Sequence, residues 1–454
     1  MTHDEAIAFW FGRVNYEQRT PRPTDLSLDR MRSLLALLDD PQEKYPIVHV
    51  AGSKGKGSTS AMLASVLDKA RLRTGLFISP HVICVEERMQ INGQPIARAE
   101  LTACIEETAS AIRRLEHEAR DSAPVTFFEI ATALGFLYFA RRGVDVAVIE
   151  VGLGGRFDST NVCVPLLSII TSISYDHTQV LGNTLASIAR EKAGIIKPGR
   201  PILNGAREPE PRQVIEEIAR ERQAPLRQLD VDFRYVYEPA SFSAVEERWP
   251  RVQVTTETRV WPALPMGLLG EHQAANASLV VAAVEQLRGQ EIAISDDAVA
   301  AGIADVRWPA RLEIVGRRPW VILDCAHNLA SAQALVEALR TSFPAPARGG
   351  RCSRRLIFAG NRDKDLAGML RVLSPHFDHM YFTRFNNNPR HVAPERLAEF
   401  LPPETPQAFS SCATSSEAWQ QARAAAGPDD LICITGSVFL AAELRPLILG
   451  ENRR

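Results

Sequence analysis

The chain has 454 residues, of which 45% are hydrophobic and 23% are charged, and its formal net charge is -2. This length exceeds what one hydrophobic core usually supports, so we expect two domains of an ordinary globular protein. A charge this close to zero gives no general electrostatic reason to bind nucleic acid or an acidic membrane surface, so neither is an expected partner. Any anionic ligand must therefore be held by a local site.

The first residues predict a helix rather than an export signal. Thr2 and Glu5 form a capping-box pattern ahead of apolar residues, and acidic residues stand where a signal peptide carries basic ones. No apolar run is long enough to cross a bilayer. The seven cysteines stand singly with no CxxC pair, so a structural zinc site is not expected. We therefore expect a cytoplasmic protein with reduced thiols.

Apolar segments of strand length alternate with helical patterns along the first part of the chain. Strands are predicted at 46–51, 145–151 and 167–173, and helices at 57–70 and 127–142. Their continuous valine, isoleucine and leucine runs are typical of parallel strands buried on both faces. The following stretch, about 225–262, alternates aromatic and polar residues and predicts a small antiparallel subdomain.

A second α/β series follows Trp308 and Pro309. Strands are predicted at 321–327, 355–361, 379–385 and 431–437, with helices between them. We therefore place a domain boundary after Val306, which gives domains 1–306 and 307–454. The basic stretch 344–355 suggests RNA contact at first sight, but a solvated surface loop explains it better.

A glycine-rich turn joins the first predicted strand to the helix at 57–70. Gly52, Gly55 and Gly57 let backbone amides face phosphate oxygens, Lys56 supplies a positive charge, and the helix N-terminus adds its dipole. The spacing departs from G-x-x-x-x-G-K-[ST], since two residues separate Gly52 from Gly55. A flexible turn would explain the glycines but not their position between a strand and a helix. The segment therefore predicts ATP binding.

The segment AGSKGKGST resembles the phosphate loop of the folylpolyglutamate synthase and dihydrofolate synthase family, within the Mur ligase superfamily. Further segments follow in that family's order over nearly the whole chain: ISPHVICVEERMQING, TFFEIATALGFLYF, IEVGLGGRFDSTNV, ITSISYDHTQVLGNT, IAREKAGIIKPG, EHQAANA, RWPARLEI, LDCAHN, FAGNRDKD and ITGSVFLAAE. Several motifs in one order are more specific than one motif alone. The chain departs from the family at Ser53-Lys54, where Thr-Asn is more frequent, and at Cys325, where glycine is usual.

The resemblance implies an α/β fold and an ATP-dependent ligase. The fold comprises a P-loop-containing parallel-sheet ATPase domain with a small antiparallel subdomain, followed by a C-terminal Rossmann-like α/β domain. The reaction adds L-glutamate to a folate through an acyl-phosphate and releases ADP and phosphate. A carboxylate must be activated because hydroxide is a poor leaving group, and phosphoryl transfer needs positive charge in place beforehand. Magnesium, with two ions, is the implied cofactor, and a monomer is the implied state.

Residue types and the resemblance together assign the nucleotide and metal residues. The predicted ATP-binding residues are Gly52, Gly55, Lys56, Gly57, Ser58, Thr59, Asn276, Arg311 and Asp324. The resemblance assigns Ser79, Glu150, His177 and Lys192 to metal, and we single out Lys56, Lys192, Arg311 and His327 as catalytic, the last with no specified role. Each metal ligand before Lys192 ends or follows a predicted strand, so they can meet at the carboxyl edge of one sheet. Taken singly, Ser79 also fits a turn serine, Glu150 a surface acid and His177 a structural histidine.

Lys192 would ordinarily be a solvated helix lysine. The resemblance implies instead that carbon dioxide carbamylates it, which turns a cation into an anion that helps to hold a second magnesium ion. The resemblance also implies a pterin-binding set: Leu26, Ser27, Leu28, Thr126, Phe157, Asp158 and Ser159. Asp158 suits the donor face of a pterin ring, and it suits a structural Asx turn before Thr160 equally well.

Two other functions fit parts of the pattern. A cell-wall Mur ligase, which adds an amino acid to a nucleotide-sugar peptide, shares the ATP chemistry. A non-ligase P-loop protein needs only the phosphate loop and no second α/β domain with Arg311 and Asp324. The segments 78–93 and 126–139 resemble the folate branch, so we favour the folate ligase. Whether tetrahydrofolate, dihydropteroate or both accept glutamate stays open.

Overall fold

The structure is a computed structural model of the chain and describes residues 1–17, 27–118, 123–243, 246–344, 352–386, 388–403 and 408–451. The chain divides into two compact units. Unit 1 comprises Met1–Val236, Val252–Leu264 and Ala275–Val306, and unit 2 comprises Tyr237–Arg251, Pro265–Ala274 and Arg307–Arg454. Each unit contains a mainly parallel sheet with helices, which confirms the predicted α/β class.

The α-helices are α1 (His3–Phe11), α2 (Asp29–Ala36), α3 (Lys56–Lys69), α4 (Arg98–Glu118), α5 (Phe127–Arg142), α6 (Thr178–Leu181), α7 (Leu185–Lys192), α8 (Pro209–Glu221), α9 (Glu271–Arg288), α10 (Asp296–Asp305), α11 (Leu329–Ser342), α12 (Leu366–Leu373), α13 (Pro394–Leu397), α14 (Ser415–Ala425) and α15 (Val438–Glu451). The strands are β1 (Ile47–Ala51), β2 (Thr74–Phe77), β3 (Met89–Ile91), β4 (Gln94–Pro95), β5 (Val146–Glu150), β6 (Leu167–Ile170), β7 (Ile202–Asn204), β8 (Leu226–Gln228), β9 (Arg234–Glu238), β10 (Ser241–Phe242), β11 (Glu247–Arg248), β12 (Arg251–Thr255), β13 (Leu264–Pro265), β14 (Glu313–Arg317), β15 (Trp320–Leu323), β16 (Arg354–Phe358), β17 (His379–Phe382), β18 (Ala408–Ser411) and β19 (Leu431–Thr435).

The large sheet of unit 1 has the strand order β4-β3-β2-β5-β1-β6-β7-β8. Six of these strands pair in parallel in the order β2-β5-β1-β6-β7-β8, whereas β3 and β4 add an antiparallel edge next to β2. The central strands β1, β5 and β6 are buried along their whole length. This explains their mainly apolar sequence, because a parallel strand covered on both faces has no solvent-facing side; His49, Glu150 and Ser168 are the buried polar residues in these strands.

Helix α5 packs against the core of unit 1 with capping at both ends. The Thr126 hydroxyl oxygen accepts a hydrogen bond from the Glu129 amide, the Thr126 amide donates one to the Glu129 carboxylate, and Gly143 ends the helix at φ 56°. Such an N-cap contributes about 1 kcal/mol. Helix α1 is fixed to α5 by Trp10, whose ring stacks on Phe127 and whose Nε1 donates to the Phe127 carbonyl oxygen.

The sheet of unit 2 has the strand order β14-β15-β19-β16-β17-β18. Among the described strands of this sheet, β14 runs antiparallel to β15, and the other pairs are parallel. The four strands predicted after position 320 correspond to β15, β16, β17 and β19. Their apolar side chains, among them Ile322, Leu356, Phe358 and Phe382, form the core of the unit.

The middle stretch, predicted as a small antiparallel subdomain at about 225–262, forms short strands. Strand β8 extends the large sheet in parallel, β10 pairs antiparallel with β11, and β13, β12 and β9 make a three-stranded sheet. Within the described ranges, no helix combines the length and the apolar character needed to span a membrane.

Candidate active site

The predicted nucleotide and metal residues of unit 1 follow neighbouring strands. In the order β2-β5-β1-β6, Ser79 lies just beyond β2, Glu150 ends β5, the phosphate loop follows β1, and His177 lies beyond β6. These strands are parallel, so their carboxyl ends meet at one edge. The fold thereby assembles the arrangement that the sequence predicts, at the usual ligand-binding edge of an open α/β sheet.

Two glycines of the phosphate loop cannot carry a side chain. Gly52 has φ +152° and Gly55 has φ +85°, and a Cβ atom at either position would overlap the side chain of Thr171 or Asn276, respectively. Helix α3 begins at Lys56, directly after this turn, so its first amide groups face the loop. Asn276, one of the predicted ATP-binding residues, therefore lies against the phosphate loop at Gly55.

Lys56 and Lys192 donate to the same carbonyl oxygen. The Nζ atom of Lys56 lies 3.2 Å, and that of Lys192 2.9 Å, from the oxygen of Gly52. Lys192 ends α7 and is only 4% exposed. Burial, assisted by the nearby Lys56 charge, lowers the pKa of Lys192 to about 7. The lysine is therefore not a solvated helix residue, and a large fraction of it is neutral near pH 7.

Ser79 and Glu150 are joined by a hydrogen bond in which the Ser79 amide donates to the Glu150 carboxylate at 3.4 Å. Glu150 is only 5% exposed. A single carboxylate and a hydroxyl suit Mg²⁺, which keeps several waters and takes further oxygen ligands from substrate phosphates. Among the described residues there is no cluster of three or more histidine, cysteine or acidic side chains suited to a metal ion.

His177 lies on an exposed turn at the start of α6. Its side chain is 57% exposed, its backbone is left-handed at φ 50°, and its Nε2 atom lies 3.8 Å from the Asp176 carboxylate. An uncommon left-handed conformation at a non-glycine residue is a frequent feature of functional sites. The structure therefore presents His177 beside an acid at the predicted edge.

Asp176 and Thr171 are site residues that sequence reasoning missed. The Asp176 carboxylate forms an ion pair with Lys54 at 2.6 Å, and the Thr171 hydroxyl donates to the Lys54 carbonyl oxygen at 2.6 Å. Lys54 is one of the departures from the family pattern, so the extra charge was a signal that an acid should lie nearby. Its partner, Asp176, offsets that charge beside the phosphate loop.

Arg311 of unit 2 stands between two left-handed residues, Ala310 at φ 55° and Leu312 at φ 49°. The turn is held by Asp324, whose carboxylate accepts from the amides of Leu312 at 3.0 Å and Ala326 at 2.7 Å. Asp324 is 8% exposed, and burial raises its pKa although the Arg311 charge opposes the shift. Left-handed non-glycine residues cost free energy and cluster at functional sites.

Two histidines of unit 2 are related to this turn. His327 follows Asp324 closely in the sequence, and the Arg311 charge acts on His272. His327 is oriented by a 2.9 Å contact between its Nδ1 atom and the Cys325 carbonyl oxygen, which fixes the proton on Nδ1. Burial and the Arg311 charge lower the pKa of His272 to about 4, so this side chain is neutral at pH 7. His272 was not among the predicted residues, and its only signal was its place in EHQAANA.

The predicted substrate residues lie in three places: Ser27 and Leu28 precede α2, Thr126 caps α5, and residues 157–159 lie in the turn after β5. Leu26 lies outside the described residues. Ser27 is exposed and receives a hydrogen bond from the Asp29 amide, and Leu28 is half-buried next to it. Phe157 is 38% exposed beneath the Arg156 guanidinium.

Asp158 forms the Asx turn that the sequence left as one of two alternatives. It accepts from the Thr160 amide and hydroxyl and from the Leu153 amide, and it caps the short 3₁₀ helix Ser159–Val162. Asp158 is 6% exposed, and burial raises its pKa. The Asx turn is thus present, and a contact with substrate stays a prediction.

Comparison with known proteins finds similarity to Mur ligases over most of the chain. The Mur ligase middle domain matches residues 50–284, and the Mur ligase glutamate ligase domain matches residues 310–438. The dihydrofolate synthase/folylpolyglutamate synthase of Bacillus subtilis is 36% identical, with 92% of this chain and 94% of that protein covered. The folylpolyglutamate synthase of Lacticaseibacillus casei is 34% identical, with 93% and 94% covered.

Solved structures support this similarity in three dimensions. A Mycobacterium tuberculosis folylpolyglutamate synthase complexed with ADP superimposes with a TM-score of 0.85 at 32% identity, covering 98% of each chain. The E. coli FolC in complex with DHPP and ADP gives a TM-score of 0.82 at 29% identity, covering 99% of this chain and 98% of that chain. The resemblance seen in the motifs is confirmed, and the chain belongs to the folylpolyglutamate synthase and dihydrofolate synthase family of Mur ligases.

Proposed function

We propose that this protein is an ATP-dependent carbon-nitrogen ligase that adds L-glutamate to a folate and releases ADP and phosphate. The observation that carries the proposal is the assembly of the phosphate loop, Glu150 and Lys192 at one sheet edge of a chain of this family. Tetrahydrofolate is the proposed acceptor, and dihydropteroate is a second acceptor to be tested. We place the activity in the cytoplasm and on a monomer.

The chemistry divides into two displacements. The acceptor carboxylate attacks the γ-phosphorus of ATP and ADP departs, which gives an acyl-phosphate. The glutamate amine then attacks the acyl carbon, phosphate leaves, and the amine loses a proton. Lys56 and the first amides of α3 hold the phosphates in line and stabilise the charge that develops on them. The hydroxyls of Ser58 and Thr59 lie on the first turn of α3 and face the same phosphates in this proposal.

We also propose nucleotide contacts for residues of unit 2. Arg311 has the planar guanidinium that suits bidentate phosphate binding, and the strained backbone around it indicates a functional constraint. Asp324 is proposed to contact the ribose, and His327 to act in the same unit. We propose a functional boundary after Val306, between an ATP-binding domain 1–306 and a glutamate-ligase domain 307–454, and the gap between the matched family domains at 284 and 310 supports it. The compact units differ from this division, since Tyr237–Arg251 and Pro265–Ala274 belong to unit 2.

The substrate contacts are proposed for the start of α5 and the turn after β5. Ser27, Leu28 and Thr126, with Phe157, Asp158 and Ser159, would line the pterin side, together with Leu26. The Phe128 ring lies against Gly152, so the start of α5 and this turn are neighbours. An exposed aromatic ring and buried oxygen acceptors suit a flat heterocycle that carries N–H donors.

A product assay tests the function. The purified protein is incubated with ATP, glutamate and either tetrahydrofolate or dihydropteroate, and the products are resolved by mass. We expect a mass increase of one or more glutamyl residues and ADP release that depends on both glutamate and the pteroyl acceptor. ATP hydrolysis that ignores both would reject the ligase proposal, and the acceptor that gains mass decides the substrate.

Magnesium is proposed to bind at Ser79, Glu150 and His177, with Lys192 contributing to a second ion. When bound, such an ion neutralises phosphate charge and orients the reacting oxygens. Changing Glu150→Gln should raise the Mg²⁺ concentration that gives half-maximal activity by at least the roughly 10- to 100-fold caused by loss of an outer-shell partner. Calorimetric titration of Mg²⁺ in the presence of ATP is the second measurement. The control is Glu118→Gln, an exposed acid of α4; an unchanged Mg²⁺ requirement in Glu150→Gln would contradict the assignment.

A further inference from the structure

His49 is a buried histidine that no step of the proposed reaction uses. It lies on β1, three residues before Gly52, and is 0% exposed. Burial, together with the Lys197 charge, lowers its pKa to about 3, so the ring is neutral at physiological pH. Its Nε2 atom lies 2.8 Å from the hydroxyl oxygen of Thr160. A neutral polar ring in the central strand of the sheet therefore has one specific partner, which lies in the turn after β5.

The direction of the hydrogen bonds follows from the partners. The Thr160 hydroxyl donates to the Asp158 carboxylate, so towards His49 its oxygen is an acceptor. His49 must then carry its proton on Nε2, and among the described residues its Nδ1 atom has no hydrogen-bond partner. His49 therefore donates to Thr160, and Thr160 donates to Asp158.

This direction determines how Asp158 can meet a ligand. Its carboxylate accepts from the Thr160 amide, the Thr160 hydroxyl and the Leu153 amide, and every one of these contacts requires an acceptor. The Gly152 amide also favours the ionised form, so the carboxylate is held as an acceptor by donors from Gly152, Leu153 and Thr160. Burial alone raises the pKa of Asp158, whereas these donors favour the ionised form. The turn is therefore built to present an acceptor.

Thr126, at the start of α5, also presents an acceptor, as Asp158 does. Its hydroxyl donates to Glu129 at 2.8 Å, and both oxygens of Glu129 also accept from the Nε atom of Arg30 at 2.9 Å. Because the Thr126 hydrogen is committed to Glu129, its oxygen can only accept from a ligand. Two separate networks thus terminate in acceptors on adjoining elements.

We propose that His49 is a positioning residue for substrate recognition: acting through Thr160, it holds the Asp158 carboxylate as an acceptor for a ligand edge that carries N–H donors. The amino-pyrimidinone edge of a pterin has this chemistry. The inference rests on the proposed function, since it takes Asp158 to contact the acceptor substrate. The inference gives His49, on the strand that leads into the phosphate loop, a role in specificity for the pteroyl acceptor.

The test combines protein variants with a ligand variant. The two acceptors are tetrahydrofolate and its analogue with a methyl group in place of the 2-amino group. The protein variants are His49→Phe, which keeps a ring without a donor, His49→Gln, which restores an N–H, and Thr160→Val, which removes the relay hydroxyl. The control is Ser168→Ala, which removes a different buried hydroxyl of the same sheet, bonded to the Ile195 carbonyl oxygen.

The measured quantity is the ratio of kcat/KM for the amino acceptor to that for the methyl acceptor. We expect roughly 10- to 100-fold for the wild type, the usual effect of leaving a buried acceptor unpaired. The ratio should fall to near one in His49→Phe and Thr160→Val, with no further fall in the double variant. It should recover at least partly in His49→Gln and stay at the wild-type value in Ser168→Ala. The KM for ATP should be unchanged in all of them.

Failure of the inference is distinguishable from failure of the function. If the wild type adds no glutamate to any pteroyl acceptor, the proposed function itself is rejected. If the wild type is active and discriminates, but His49→Phe and Thr160→Val keep the wild-type ratio, His49 does not position Asp158. An equal fall in Ser168→Ala would show general loosening of the sheet and would also overturn the proposal.

Discussion

Replacing Lys56 by alanine is expected to lower glutamate-dependent ADP release by about 10²- to 10³-fold, the usual cost of losing one preorganised group that stabilises transition-state charge. The residue begins α3 directly after the glycine turn, and its amine already points back over the loop to the Gly52 carbonyl oxygen. Its charge is therefore in place before ATP binds. Steady-state kinetics with ATP, glutamate and tetrahydrofolate measure the effect.

The control for this prediction is Lys69→Ala, at the other end of the same helix. Lys69 is 38% exposed and forms a surface ion pair with Asp305, which is worth little stability. Activity of the control should stay within a factor of about two. If Lys56→Ala retained wild-type kcat/KM for ATP, the phosphate role of the loop lysine would be refuted.

Replacing Lys192 by methionine is expected to abolish most of the activity, again by about 10²-fold or more, while leaving the fold at least as stable. The amine is buried beside Lys56 and donates to Gly52. Its lowered pKa of about 7 leaves a neutral amine that can attack carbon dioxide, lose a proton and become a carbamate anion. We propose that this anion helps to hold the second magnesium ion.

Carbamylation of Lys192 can be measured separately from activity, and its extent should depend on pH. The wild type in ¹³C-bicarbonate should show a carbamate carbon signal by NMR that grows as the pH rises through about 7, because the neutral amine is the reactive form. The signal should be absent in Lys192→Met. A wild type without this signal at pH 8 would refute the carbamate, and a fully active Lys192→Met would refute any catalytic role.

The stability of the Lys192 variant has a defined sign. The folded-state pKa of about 7 lies below the ordinary lysine value of 10.5, so between these pH values the unfolded chain binds more protons than the folded one. The free energy of unfolding therefore rises with pH across this window in the wild type. Below pH 7 the amine is charged in both the folded and the unfolded chain, so the full free-energy cost of burying that charge lowers the stability of the wild type. Lys192→Met lacks this dependence, and chemical denaturation at pH 6.5 and 9 measures the difference.

The sequence by itself determined the elements and their order. Mainly apolar runs mark β1, β5, β15 and β19 because strands covered on both faces have few positions that reach solvent. The glycines between β1 and α3 mark the phosphate loop because only glycine tolerates its left-handed, closely packed backbone. These signals are local, so they can be read without knowledge of the fold.

Only the tertiary structure decided which side chains face one another. Lys54 and Asp176 are 122 residues apart, and His49 and Thr160 are 111 apart, yet each pair is in contact. The strand order β2-β5-β1-β6 creates these neighbours, and no local pattern specifies it. The buried, nearly neutral state of Lys192 also arises from the fold, because desolvation depends on everything packed around an amine. The spacing of residues along the chain does not predict that environment.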